Sequence, residues 1–391
     1  MLVEFSSLDD YLLAAEDRRN PPAARRPYPL IEVKKHFDSA VDPKLFLTMN
    51  AESATAEAGM REMFRIAQGF PLGRVEIANA LVVGENGLIV DLDNRRCWIG
   101  FTSGWPKRMA FSFVGMAGFF TRRGASAFEI DTGLLAKALR IERATIVSGP
   151  GGNIYGHWLI DVAARLEQMS ADSSFDRFTR LLTVRTAPFA QEILAKMAPE
   201  NNGVVQYSAD SVFRVGLLTI YSIPRLNQAL DIEICSRAWQ MLEAAIGGNG
   251  AGESAHRAPG KKLYVSRFGW KKSRFLENGE EVEHFFAAQG WTVVRPEGLS
   301  LAEQVSLFRR AEVVVGEDGS GLHNAIFAPP GLTMIVVSML RTNLHHASIA
   351  NVKGHRIAYL NAECTTPGQL PDSWRLSVKQ LEHTLRTADV L

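Results

Sequence analysis

Gly316, Gly319, Ser320 and Gly321 lie between a β-branched run, Val313-Val314-Val315, and an apolar helical run around Ile326 and Phe327. A strand that ends in a glycine turn and opens a helix presents unpaired backbone N–H groups beside a positive helix end. That geometry suits an anion such as phosphate or diphosphate. Such junctions also serve merely to turn a chain, so the reading needs support from the surrounding residues. A second set lies upstream. His157, Asp161 and Arg165 recur every four residues and would share one helix face. An imidazole one turn from a carboxylate can be held in one tautomer and used as a base. The same spacing fits a solvated ladder that only stabilises a helix. Its place beside Gly149–Gly152, at the carboxyl end of a strand, favours a site.

The elements that must position these residues alternate along the chain. Thr145–Val147 reads as a strand, followed by a glycine turn and a helix over Ile154–Met169. Strands are expected near Leu181–Val184 and Val204–Tyr207, with helices near Phe189–Met197 and over Asn227–Ile246. Further on, Lys262–Ser266 and Trp291–Val294 read as strands, with Arg267 directly after the first. Glu280–Gln289 reads as an amphipathic helix, and Ser300-Leu-Ala-Glu303 is a capping box that opens another. Val313–Val315 and Met334–Val337 complete four strands. Strands alternating with helices predict a parallel sheet, whose ligands sit beyond the carboxyl ends of its strands. Arg267, the 316–321 turn and the segment after Ser338 should share that rim.

A chain of 391 residues, 46% of them hydrophobic, can bury two cores. Residues 1–140 read as an arm and β-rich segment belonging to the first domain, with a hairpin around Asn86-Gly87. Residues 141–250 read as the first α/β domain, 251–260 as a glycine-rich linker and 261–391 as the second α/β domain. Net charge is +1 with 22% charged residues, which gives no bulk attraction to nucleic acid. The three cysteines, Cys97, Cys235 and Cys364, have no metal or redox spacing and fit a reducing compartment. Glu4, Asp9 and Asp10 stand where a secretion signal would be basic and apolar. The apolar patch Met109–Phe120 is too short to span a bilayer. A cytoplasmic protein is expected, with peripheral membrane contact left open.

Weaker signals receive plainer readings. Asp91-Leu-Asp93 fits a hairpin end better than a metal site. His345-His346 follows a strand on the ligand side, without a carboxylate or cysteine at a metal-binding spacing. Of Lys271, Lys272 and Arg274, Arg274 is the better phosphate group because a guanidinium grips oxygens as a fork. Residues 372–387 read as a packing helix.

Taken together, the two sets resemble glycosyltransferase family 61, which includes bacterial proteins of capsular polysaccharide biosynthesis. The matching residues are Gly156-His157-Trp158-Leu159 with Asp161 and Arg165-Leu166, then Tyr264-Val-Ser-Arg267, Arg274, Asn278-Gly-Glu-Glu281 and Gln304. Gly316-Glu-Asp-Gly-Ser-Gly-Leu-His-Asn324 closes the series. Two residues depart from the pattern. Asp318 stands where the family often has histidine, and Gly279 where glutamate is frequent.

The resemblance implies an α/β, GT-B-like architecture: two Rossmann-like domains facing across a cleft, the donor held mainly by the second. It also implies inverting transfer from a nucleotide sugar, by analogy a UDP-sugar, to a hydroxyl of a glycan acceptor, with no cofactor and no bound metal. Under that reading Arg267, Arg274, Gly319, Ser320, Gly321, Leu322 and Asn324 would bind the donor. His157 would be the base with Asp161 orienting it, or Asp161 would be the base itself. His323 would reach the sugar or simply pack. A nucleotide-sugar epimerase and a non-catalytic carbohydrate-binding relative are the competing expectations.

Overall fold

The computed structural model describes residues 2–7, 30–34, 51–67, 72–84, 88–99, 120–122, 127–131, 133–149, 152–201, 203–208, 210–226, 228–247, 261–269, 275–338, 343–367 and 373–390. The arm at 20–29, the hairpin tip Asn86-Gly87, most of the 109–120 patch, the 251–260 linker, Lys271, Lys272 and Arg274 lie outside them. The fold is mixed α/β with parallel sheets. Two compact units form, Met1–Asp38 with Ala67–Asn227, and Ser39–Ile66 with Gln228–Leu391. Among the described residues no helix is long and apolar enough to cross a membrane.

In the first unit four parallel strands lie in the order Val204–Tyr207, Arg180–Val184, Leu139–Ile146, Val212–Tyr221. Numbered along the chain, that order is 3-2-1-4. Leu72–Val83 pairs antiparallel with Val212–Tyr221 and leads into the β-rich part of the sheet, through Leu88–Asp91 to Arg96–Ile99. Strand Val212–Tyr221 was not foreseen in the sequence. Gly216 interrupts its burial alternation, while the register stays the same on either side, Val215 with Ile141 and Leu217 with Arg143. A Cβ on Gly216 would stand 2.7 Å from the Glu142 carbonyl, so the close approach of the neighbouring strand requires glycine.

The expected helix over Ile154–Met169 is three pieces, Tyr155–His157, a π turn Trp158–Val162 and Ala163–Ala171. Its inner face is nearly continuous apolar surface, with Trp158, Leu159, Ala163, Ala164 and Leu166 all fully buried. Each large apolar side chain buried this way contributes about 1.5–3 kcal/mol. The Trp158 indole N–H donates to the Gly152 carbonyl at 2.5 Å and ties the helix to the glycine turn. The helix expected from Asn227 begins only at Ile232, because the Asp231 carboxylate accepts the Ile234 N–H and caps it there.

Among the described residues the main sheet of the second unit has five strands, all parallel, in the order Thr292–Val294, Lys262–Val265, Val313–Glu317, Thr333–Ser338, Arg356–Asn361. Along the chain this reads 2-1-3-4-5. Every residue of Val313–Glu317 and Thr333–Ser338 is buried, as expected of strands covered on both faces. One core packs Tyr264, Phe286, Trp291, Val315, Ile335 and Leu381 together. The Ser300–Glu303 capping box forms as expected. Helix Leu344–Lys353 and strand Arg356–Asn361 extend the alternation beyond the four strands read from sequence. The 372–387 segment divides into strand Ser373–Arg375 and helix Val378–Thr387, because Ser377 caps the helix through the Gln380 N–H. Helix Ala51–Ala67 belongs mainly to this unit; a Cβ on its Gly59 would stand 3.4 Å from Leu344 Cδ1.

Candidate functional site

Ligands of open α/β sheets bind outside the carboxyl ends of the strands where the strand order reverses. In the first unit the reversal falls between Leu139–Ile146 and Val212–Tyr221. His157 and Asp161 stand at that point. The His157 Nδ1 lies 2.7 Å from Asp161 Oδ2. Arg225, just past the end of Val212–Tyr221, donates from Nε to Oδ1 at 2.8 Å and from Nη2 to Oδ2 at 3.0 Å. Asp161 is 6% exposed, whereas the His157 side chain is 31% exposed. Burial opposes the Asp161 charge, but the Arg225 guanidinium and the His157 ring outweigh it and hold the carboxyl far below its usual range. An ionised carboxylate only accepts hydrogen bonds, so His157 carries its proton on Nδ1 and Nε2 is the basic nitrogen. The π turn between them is a local widening of a kind frequent at functional sites.

Arg165 feels the Asp161 charge, but two of its hydrogen bonds go elsewhere. It is buried, and donates from Nε to the Tyr221 carbonyl at 3.2 Å and from Nη1 to the Val147 carbonyl at 2.6 Å. It fastens together the carboxyl ends of the two strands that flank the reversal, and burial lowers its pKa to about 10. The three-residue ladder is therefore a pair plus a brace. Arg225 carried no signal in the sequence beyond standing after an unforeseen strand.

In the second unit the order reverses between Lys262–Val265 and Val313–Glu317, and Arg267 and Gly319 follow those two strands directly. A Cβ on Gly319 would overlap the Arg267 Nη1, so the guanidinium lies against the bare Cα of the turn. The Gly319 backbone is extended, and close approach is what requires glycine there. Gly321 is nearly as crowded, with Pro296 and Val265 each 3.2 Å from a Cβ position. Behind the turn, Glu317 Oε1 accepts the Arg267 N–H and the Tyr264 hydroxyl, each at 3.0 Å. Glu317 is almost wholly buried, and burial pushes its carboxyl up against the pull of those two donors.

The helix after the turn, Ser320–Phe327, is 3₁₀ rather than α. Its first bond runs from the Leu322 N–H to the Gly319 carbonyl at 3.1 Å. The Leu322 N–H is thus spent within the turn, and the N–H groups of Ser320 and Gly321, both half-buried, precede any helical partner. Leu322 and Asn324 are completely buried and shape the turn from behind. Asn324 donates to Gln304 Oε1 at 2.7 Å and to the Gly321 carbonyl at 3.1 Å. Asn278 braces the scaffold similarly, bonding both the carbonyl and the N–H of Leu376. His323 packs edge-on against His346, ring centres 5.2 Å apart. Asp318 is 2% exposed and accepts from Asn343 Nδ2 and His346 Nε2, each at 3.0 Å.

Elsewhere, Asp91 accepts the Asp93 and Asn94 N–H groups and closes the 92–95 turn, as a hairpin end should. No group of three or more His, Cys, Asp or Glu among the described residues is arranged to hold a metal ion.

Residues 155–336 match the family model described as Glycosyltransferase 61. The matched region is a little under half of the chain. That region starts with the helix of His157 and runs through the Arg267 and Gly319 turns into strand Thr333–Ser338, so it takes in both rims. The match supports an enzyme of the glycosyltransferase class. A search of curated proteins found no match. Among solved structures, the ADP-heptose LPS heptosyltransferase II of E. coli is similar at 12% identity with a TM-score of 0.31, over 63% of this chain and 97% of that one, a likeness too slight to argue from.

Proposed function

We propose that the protein is an inverting glycosyltransferase that moves a sugar from a nucleotide-sugar donor to a hydroxyl of a glycan acceptor. The observation that carries this reading is the His157–Asp161–Arg225 arrangement, a half-exposed imidazole above a buried carboxylate that stays ionised. In the proposed reaction His157 Nε2 takes the acceptor's hydroxyl proton while Asp161 stabilises the imidazolium that results. The acceptor oxygen attacks the anomeric carbon, the bond from that carbon to the phosphate oxygen breaks, and the nucleoside diphosphate leaves with the electron pair. One displacement inverts the anomeric centre.

On the second unit the Ser320 and Gly321 N–H groups, with Arg267 over Gly319, would receive the diphosphate as its charge grows. Preorganised donors of this kind are typically worth about 3–4 kcal/mol each. Arg274 is proposed as a second cation. The same proposal includes a GT-B-like arrangement with the donor on one unit and the acceptor base on the other, transfer without a bound metal, and a cytoplasmic role in polysaccharide or glycan synthesis.

The test is a screen of nucleotide sugars with oligosaccharide acceptors, read as released nucleotide. Turnover that needs an acceptor and falls about 10²–10⁴-fold in His157→Ala supports the reading. Conversion of a nucleotide sugar without acceptor would instead indicate epimerisation. Tight nucleotide binding with no turnover on any pair would count against transfer.

A further inference from the structure

An open groove of about 580 Å³ lies at the amino end of strand Leu139–Ile146, with Asn79, Arg140, Glu142, Arg214 and Gly216 among the residues that line it. Small-ligand sites usually fall between roughly 300 and 1,000 Å³. Arg140 and Arg214 are register partners on neighbouring parallel strands, so their side chains leave one face of the sheet about 4.8 Å apart at the backbone. Like charges placed directly opposite destabilise a sheet. Among the described residues neither arginine forms an ion pair with a carboxylate. Arg214 is held instead by an amide. Its Nε donates to Asn79 Oδ1 at 3.0 Å, and Asn79 Nδ2 donates to Asp93 Oδ1 at 2.7 Å. A guanidinium only donates and a carboxylate only accepts, so both ends of that amide are settled. Asn79 makes this link from a left-handed backbone, φ 50°, which asparagine tolerates better than most residues. Gly216 adds no side chain to the groove. Strand Arg180–Val184 pairs with Leu139–Ile146 only from Ala144 onward, so residues 139–143 have one edge without a strand partner among the described residues.

We propose that this groove binds an acidic saccharide, a uronate whose carboxylate bridges Arg140 and Arg214 while its hydroxyls donate to Glu142. Each guanidinium can give paired hydrogen bonds to carboxylate oxygens, and an anion between the two turns their repulsion into attraction. The charged residues that line the groove are two cations and one carboxylate, Glu142. Glu142 repels a bare anion but accepts from hydroxyls, which only an anion carrying a polyol supplies. The unpaired edge of residues 139–143 offers further main-chain donors and acceptors to such hydroxyls. Arg140 stands six residues before Ile146, roughly 20 Å along the strand from its carboxyl end. The groove would thus take a unit of the glycan several sugars away from the reacting hydroxyl. That extension rests on the reading of the first unit as the acceptor side; the binding itself does not.

Calorimetry on the full-length protein tests it, comparing trigalacturonate and trimannuronate with neutral maltotriose and with inorganic phosphate. At least one uronate trimer is expected to bind, more weakly as salt is added, and maltotriose is not. Arg140→Ala and Arg214→Ala should each weaken the uronate about tenfold, and Arg140→Glu should abolish binding. Arg140→Lys, which keeps the charge without the fork, should restore only part of the loss. Arg140 is exposed, so its variants should melt like the wild type and carry the test even if Arg214→Ala does not fold. Four results would overturn the proposal: no uronate bound, maltotriose bound as well as the uronates, phosphate bound as tightly and displacing them, or uronate binding that survives Arg140→Glu. Nucleotide affinity and turnover enter none of these outcomes, so this site and the donor reading can fail independently.

Discussion

At the rim of the first unit the polar atoms belong to side chains; at the rim of the second they belong largely to the backbone. His157, Asp161 and Arg225 form a charged set in which one buried carboxylate is held by a guanidinium on two oxygens. Ser320 and Gly321 instead present main-chain N–H groups, and Glu317 behind the turn is pushed by burial toward its neutral form. The two designs have different weaknesses. Removing one partner of a buried ion pair strands the other, while a backbone cradle fails only when something occupies the space that its glycines leave open.

Arg225→Ala should have the largest effect, about 3–5 kcal/mol in a urea unfolding curve, because Asp161 would be left charged and buried. The pH dependence has a definite sign. A carboxyl held below its unfolded value of 3.8 gives full stability above that pH and loses it as acid approaches the lower folded value. Loss of Arg225 should move that decline to higher pH. If Arg225→Ala melts like the wild type, the first rim is not electrostatically coupled as described. His157→Ala comes next, lowering kcat about 10²–10⁴-fold with little change in the melting curve, since its ring is half exposed. Comparable loss of stability would recast His157 as a structural group.

A pair of glycine variants separates cradle from core in the second unit. Gly316→Ala places a Cβ 2.9 Å from the Val265 backbone carbonyl and should cost about 1–3 kcal/mol of stability. Gly319→Ala presses its Cβ against the Arg267 side chain and not against backbone, so the fold should hold while nucleotide affinity drops about tenfold by calorimetry. Identical behaviour of the two would deny Gly319 its special place. Glu317→Gln should give the smallest change. A carboxyl whose folded value is raised loses stability as pH rises above its unfolded value of 4.5, so the variant should gain on the wild type with increasing pH. Parallel stability-versus-pH curves would remove Glu317 from the rim's electrostatics.

Local pattern in the sequence carried much of this. Glycine turns after β-branched runs located both rims, and the four-residue spacing of His157 and Asp161 brought them within hydrogen-bonding distance. Partners supplied from far along the chain were not legible. Arg225 reaches Asp161 across 64 positions, and Asn343 reaches Asp318 across 25, with no periodicity linking either pair. Arg165 shows the opposite failure: its spacing matched the ladder, but two strand-end carbonyls claimed its guanidinium. Asn324 and Leu322 were placed in the right turn, but that both side chains face inward is settled by packing against Gln304 and strand Val313–Glu317, which the local sequence does not show.

Helix Ala51–Ala67 is synthesised long before the strands of the unit it joins, with almost all of the first unit's chain translated in between. Leu344, the residue that a Cβ on its Gly59 would meet, is made only after residues 67–227 of the first unit. A fragment started at residue 228 would lack this helix and leave the seat beside Leu344 empty, so dissecting the protein into halves calls for a circular permutant rather than a simple cut.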